Sequence, residues 1–238
     1  MVVLLPLYIL LFNYRPESKG LKALGSTELY DRLTISNPVC ASYTISQAVR
    51  TSKLWLMIMS FAFYWGIGCY LVLAHQVKFT QDVGYGSTFA ASIFALFGIF
   101  VAAGQLSSGI SDWIGREKTL TVASILSISG LIALILVRDN SQPWLLFLYA
   151  ICFGYGAGLS SPTIYAGMAD IFYGKHFGSI GGLMLTGFAI AGVIGPWLGG
   201  YIHDISGSYI STFIFGIVCF GLSSVLFWIA APRKASKL

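Results

Sequence analysis

Asp112 and Arg116 flank Gly115 in the run Ser111-Asp-Trp-Ile-Gly-Arg-Glu-Lys118, and this run is the sharpest candidate for electrostatic chemistry in the chain. An aspartate beside a glycine turn can accept from the positive N-terminal end of a neighbouring helix, such as one starting near Gly178. Arg116 can pair with an acid across the loop. Contacts of this kind hold in one arrangement of helices and break in another, so Asp112, Gly115 and Arg116 are candidate gating residues. An ordinary solvated turn with flanking charges is the alternative. A second group, Tyr64, His75, Gln105 and Tyr155, places hydroxyl, imidazole and amide groups in strongly apolar surroundings. Such groups face protein or a water-filled cavity, which makes these four candidate substrate-binding residues, with helix-to-helix hydrogen bonding as the other use. His75 suits an interfacial position as well as it suits a proton carrier. Catalysis is a poor fit. His75, His176 and His203 lie far apart with no metal-ligand spacing, and neither a nucleophile elbow nor a phosphate-binding glycine loop is present. No catalytic residue, metal or cofactor is expected.

The elements that must position these groups are set by composition. Of 238 residues, 56% are hydrophobic and only 10% are charged, with a mean hydropathy of +0.78. Soluble domains carry about 25% charged residues. Six apolar stretches, each near the roughly 20 residues a membrane-crossing helix needs, run from Leu54 to His75, Ser87 to Ser108, Thr119 to Val137, Trp144 to Ala166, Ile180 to Ile202 and Ile210 to Ala230. None contains Asp, Glu, Lys or Arg. The expectation is an all-α integral, multi-pass membrane protein, a six-helix bundle in a lipid bilayer. In the first stretch Tyr64, Gly68, Leu71 and His75 share a helical face; in the fourth, Tyr149, Phe153, Gly156, Ser160 and Thr163 do, with Tyr155 off that stripe.

Residues 54–230 therefore form the bundle, residues 13–53 a polar segment before it, and residues 231–238 a tail. Val2 to Phe12 is apolar but about half a span, and contains Pro6; it reads as the remnant of a preceding transmembrane helix, or else as a short interfacial segment. If the segment before Leu54 is cytoplasmic, twelve of the fourteen Lys and Arg residues fall on the cytoplasmic side and only Lys78 and Arg138 fall outside. Both termini are then cytoplasmic. The net charge of +5 reflects this topology and gives no case for nucleic acid as a partner.

The second and fifth stretches both end in Asp-x-x-Gly, at Asp112 to Gly115 and Asp204 to Gly207, on opposite sides of the membrane. That is the echo expected of two inverted three-helix repeats. The fifth stretch is rich in small residues around a proline, and Gly195, Pro196, Gly199 and Gly200 are assigned to helix packing. Static close packing and packing that rocks between two states both fit them.

The run Ser111 to Lys118 resembles the Gly-x-x-x-Asp-Arg-x-Gly-Arg-Arg signature of the major facilitator superfamily, which follows the second helix of each half. Arg15-Pro-Glu-Ser-Lys-Gly-Leu21, Ser46-Gln-Ala-Val-Arg-Thr-Ser-Lys-Leu-Trp55, Ala169-Asp-Ile-Phe-Tyr-Gly-Lys-His-Phe-Gly178 and Gly195-Pro-Trp-Leu-Gly-Gly-Tyr201 resemble its monocarboxylate-transporter-like and oxalate/formate-antiporter-like branch. The resemblance implies the C-terminal half of a facilitator fold, with residues 13–53 as the cytoplasmic central loop. It further implies alternating-access transport of a small organic anion such as a mono- or dicarboxylate, proton coupling, location in the cell membrane, and an N-terminal half or a second copy as partner. Trp113 and Glu117 depart from the signature's basic positions, and Gln105 stands where the branch carries an arginine near the end of its eighth helix. Gln offers neutral hydrogen bonds where arginine offers a charged, bidentate donor. A non-transporting receptor or assembly subunit, or an inactive fragment, is the competing reading.

Overall fold

The computed structural model describes residues 43–174 and 176–232. The expectations placed on residues 1–42, Lys175 and residues 233–238 lie outside that range. A one-turn helix, α1 (Ile45–Val49), opens the described chain. Its N-cap is a reciprocal box: Thr44 Oγ1 accepts from the Gln47 amide at 3.3 Å while Gln47 Oε1 accepts from the Thr44 amide at 3.0 Å.

Six long helices follow: α2 (Ser52–Asp82), α3 (Ser87–Ile114), α4 (Arg116–Leu136), α5 (Pro143–Ile171), α6 (Phe177–Ser206) and α7 (Tyr209–Ala230). All are long and apolar enough to cross a bilayer, and a helix pairs its backbone polar groups within itself, as the hydrocarbon core demands. The punctuation is local chemistry. Pro143 occupies the first turn of α5, where its missing amide costs nothing. Ser208 caps α7 by accepting from the Ile210 amide. Between α4 and α5 the Asp139 carboxylate accepts from the Ser141 amide and hydroxyl, and these bonds hold its pKa below the usual carboxylate range. Gly115 breaks α3 from α4 at φ 106°, a conformation a side chain rarely adopts.

The helices run past the apolar stretches that mark them. α2 continues seven residues beyond His75 as Lys78 and Asp82 pair at 2.5 Å, one turn apart. α3 continues past Ser108 through a tight turn at Ser107–Gly109. Two helices are irregular at mid-length: α2 widens into a π-helix over Ala62–Cys69, and α5 carries Pro162 in its interior.

The packing is reciprocal. α2, first of the leading triplet, packs chiefly on α6 and α7, whereas α5, first of the trailing triplet, packs chiefly on α3 and α4. Burial repeats in the same order. Over the most apolar 18 residues of each helix, 61%, 22% and 50% are buried in α2, α3 and α4, against 61%, 22% and 39% in α5, α6 and α7. First helices are interior and middle helices peripheral in both triplets, the pattern that two inverted three-helix repeats impose. Around Tyr64, Phe153, Phe213 and Phe220 the centre of the bundle is fully buried.

Small residues set the helix separations. Gly195 meets the backbone of α2 at Gly66 and Ile67, while Gly158 meets the backbone of α3 at Val101. Without a hydrophobic drive between helices in lipid, such close approach supplies much of the cohesion.

Candidate functional site

At one end of the bundle, Arg116 opens α4 directly after the Gly115 turn. Its guanidinium reaches three groups: the Asp112 carboxylate at 2.5 Å, Ser111 Oγ at 2.5 Å, and the Asp170 carboxylate at 3.0 Å. Asp112 and Ser111 belong to the end of α3, and Asp170 to the last turn of α5. Arg116 thus joins both triplets. Its side chain is 16% exposed, that of Asp170 26% and that of Asp112 60%, so the bond to Asp170 is the better shielded of the two. Asp112 is turned to Arg116, four residues on across the Gly115 turn. Asp170 is a partner that the sequence reading missed. One signal was available: an acid in the last turn of a helix faces the negative end of the helix dipole and is favoured there only with a cation beside it.

The polar residues of α2 and α5 divide between the buried interior of the bundle and half-buried positions. Tyr64 is fully buried, its hydroxyl 2.8 Å from Ser127 Oγ and its ring against Phe220. The stripe it shares with Gly68 and Leu71 is the interior face of α2. Tyr149, Phe153, Gly156, Ser160 and Thr163 likewise form the interior face of α5. Tyr149 donates to Gln76 Oε1, and Gln76 Nε2 is buried with no partner. Tyr155 is half-buried and packs against the core from α5, its backbone carbonyl lying close to Gly104 of α3. Gln105, next in the chain, is exposed. His75 is half-buried and lies 3.2 Å from the Pro196 carbonyl, in a space left by Gly199 and Gly200. Of the four residues assigned to helix packing, Gly195 lies against the α2 backbone, and Pro196, Gly199 and Gly200 lie around His75.

An aromatic surface not anticipated from the sequence lies where α2, α5 and α6 meet. Trp65 Nε1 donates to Ser160 Oγ at 3.0 Å. Phe61 contacts Tyr165 (5.4 Å between ring centres) and Phe188 (4.9 Å), and Tyr70 contacts Phe188 (5.6 Å). Trp65, Tyr70, Tyr165 and Phe188 are all half-buried. Such a surface can hold a solute by ring contacts and neutral hydrogen bonds. Among the described residues, no cluster of three His, Cys, Asp or Glu side chains could hold a metal ion.

Comparison with known proteins agrees with this architecture. The chain is 24% identical over 174 residues to monocarboxylate transporter 12-B of Danio rerio, covering 71% of this chain and 36% of that protein. It is 27% identical over 177 residues to monocarboxylate transporter 11 of Mus musculus, covering 71% and 39%. It is 27% identical over 179 residues to the cyanate transport protein CynX of Escherichia coli (strain K12), covering 73% and 44%. The chain thus spans well under half the length of these relatives. The family model of the Major Facilitator Superfamily matches residues 1–166 and, overlapping, residues 56–238. With its six apolar helices in two reciprocally packed triplets, this integral membrane protein belongs to the major facilitator superfamily, a family of transporters and not of enzymes.

Proposed function

We propose that this bundle is one of two walls of a secondary transporter that moves a small organic anion, a mono- or dicarboxylate, by alternating access. The observation that carries the reading is the half-buried aromatic face of Trp65, Tyr70, Tyr165 and Phe188, set at the mid-helix irregularities of α2 and α5. Tyr155, Trp65 and Tyr165 contact the solute. His75 lies toward the Asp82 end of α2 and serves as the proton-responsive group if uptake is proton-coupled. Gln105 presents its amide outward from α3 to a partner bundle, and Tyr64 fixes the wall from behind through Ser127. Asp112, Gly115 and Arg116 form the gate at the other end. That end is cytoplasmic, and so are both termini, a reading supported by the distribution of basic residues. The protein resides in the cell membrane.

Among the described residues, the aromatic face carries no Lys or Arg, so a carboxylate must be neutralised by protonation or by a charge on the opposing wall. That opposing wall is an N-terminal half or a second copy of this chain. The names of the relatives, two monocarboxylate transporters and a cyanate transport protein, support a small anion as the solute. The test is uptake by vesicles containing the purified chain, with and without a co-expressed N-terminal half, using lactate, formate, oxalate and cyanate. Saturable uptake of at least one anion by a two-wall assembly is expected. Absence of uptake for all four in every assembly would overturn the proposal.

A further inference from the structure

Each triplet ends in the same construction, and only one copy coincides with the gate motif. At the Arg116 end, a positive-φ glycine (Gly115) is followed by Arg116, the first residue of α4, which bonds Asp170 in the last turn of α5. At the opposite end, a positive-φ glycine (Gly207) is followed two residues later by Tyr209, the first residue of α7. The Tyr209 hydroxyl donates to Asp82 Oδ2 at 3.5 Å, and Asp82 is the last residue of α2. Each acid closes the first helix of one triplet, and each donor opens the third helix of the other. Both first helices carry a mid-length irregularity before the acid: the π segment Ala62–Cys69, which holds Trp65, in α2, and Pro162, which precedes Tyr165, in α5. Asp82 also accepts from Lys78, and the Tyr209 ring is held by His203 (4.1 Å between ring centres) and Phe79 (5.8 Å).

We infer that Tyr209 and Asp82 form a second latch, the inverted counterpart of Arg116 and Asp170, and that residues 70–82 of α2 and 163–171 of α5 are the leaves the two latches hold. An acid in the last turn of a helix is repelled by the helix dipole; Lys78 offsets this for Asp82 from within α2, and the tie to another helix comes from Tyr209 at that end and from Arg116 at the other. Opening the wall at either end bends a leaf at its own irregularity and parts its own bond. The latches are unequal. Arg116 and Asp170 are oppositely charged and mostly covered, whereas Tyr209 is a neutral donor at the limit of hydrogen-bond length to a carboxylate whose side chain is 43% exposed. The bundle therefore opens more readily at the Asp82 end.

The inference rests on the transport reading, and the test separates the two. In a background lacking the native cysteines, Leu73→Cys and Ala166→Cys place a half-buried reporter in each leaf of the full chain, assayed in lipid nanodiscs with both faces in solution. Tyr209→Phe should speed thiol labelling at position 73 about fivefold, the effect of roughly one hydrogen bond, and leave position 166 unchanged. Asp170→Asn should do the reverse. Asp82→Ala should reproduce Tyr209→Phe, whereas Asp82→Asn, which keeps an acceptor oxygen, should label like the parent. A purely structural role predicts faster labelling at both reporters with a lowered unfolding temperature; that result, or no change at either reporter, overturns the latches. Side-specific labelling in a preparation that takes up no solute would keep the latches and remove the transport reading.

Discussion

A Cβ placed on Gly195 would fall 2.5 Å from the backbone carbonyl oxygen of Gly66, closer than any real pair of such atoms approaches. The obstacle is main chain on both sides, so no side-chain rotation relieves it. Gly195→Ala should force α6 off α2 at a cost of about 1–3 kcal/mol, the usual range for overpacking a tight contact. Gly182→Ala, on the same helix with nothing within 4 Å of its added carbon, should be neutral. Thermal unfolding of the detergent-solubilised chain compares the two, and equal melting points would remove the helix-packing role.

Arg116 serves two carboxylates, and their exposure decides which matters. Asp112 is 60% exposed, so its pair with Arg116 should be worth under about 1 kcal/mol. Asp170 is 26% exposed and charge-assisted, so that bond should be worth about 1–2 kcal/mol after allowance for solvent. Double-mutant cycles of Arg116→Gln with Asp112→Asn and with Asp170→Asn, read from unfolding free energies, should give the larger coupling for Asp170. A larger coupling for Asp112 would confine the proposed gate to the α3–α4 loop alone.

Tyr64 and Tyr155 are both intramembrane tyrosines, yet they should fail differently. Tyr64→Phe removes the fully buried hydroxyl that meets Ser127 and should cost about 1–2 kcal/mol of stability, with little change in the KM for solute in an active assembly. Tyr155→Phe removes the hydroxyl of a half-buried ring proposed to contact the solute, so stability should hold while KM rises. Measuring both quantities for both variants checks the division of α2 and α5 into a buried and a half-buried face.

That division shows how far the sequence could be read. The spans themselves were legible because long charge-free apolar runs have few other uses. Their ends were not, because helix and hydrocarbon stop at different places: α2 passes through His75, Lys78 and Asp82 as an unbroken helix, held by a pair one turn apart. Periodicity correctly grouped Tyr64 with Gly68 and Leu71 on one face, but it does not say which way a face points. In lipid, hydroxyls and glycines mark a helix contact as readily as a cavity. The π segment compounds this, since its wider turn shifts Trp65 and Tyr70 relative to a 3.6-residue count. Gly115 was readable as a turn, but Asp170, 54 residues beyond Arg116, becomes its partner only through the reciprocal packing of the two triplets.

Orientation yields the last prediction. The bond from Arg116 to Asp170 puts the start of α4 and the end of α5 at one end of the bundle, and the bond from Tyr209 to Asp82 puts the start of α7 and the end of α2 at the other. Arg50, Lys53 and Lys118 share the first end with Arg116 by helix parity. Lys78 lies near the second end, at the close of α2, and Arg138 follows α4 on that same side. Basic residues flanking spans are retained on the cytoplasmic side, so the Arg116 end should face the cytoplasm. In a background lacking the native cysteines, Lys78→Cys and Arg138→Cys should react with an impermeant thiol reagent applied to intact cells, and Lys118→Cys should react only after permeabilisation. Lys78 is paired with Asp82 on an exposed surface, and Arg138 sits in the α4–α5 connection, so neither change should disturb the fold. Labelling of Lys118→Cys in intact cells would invert the bundle and place the gate proposed at Arg116 on the outside.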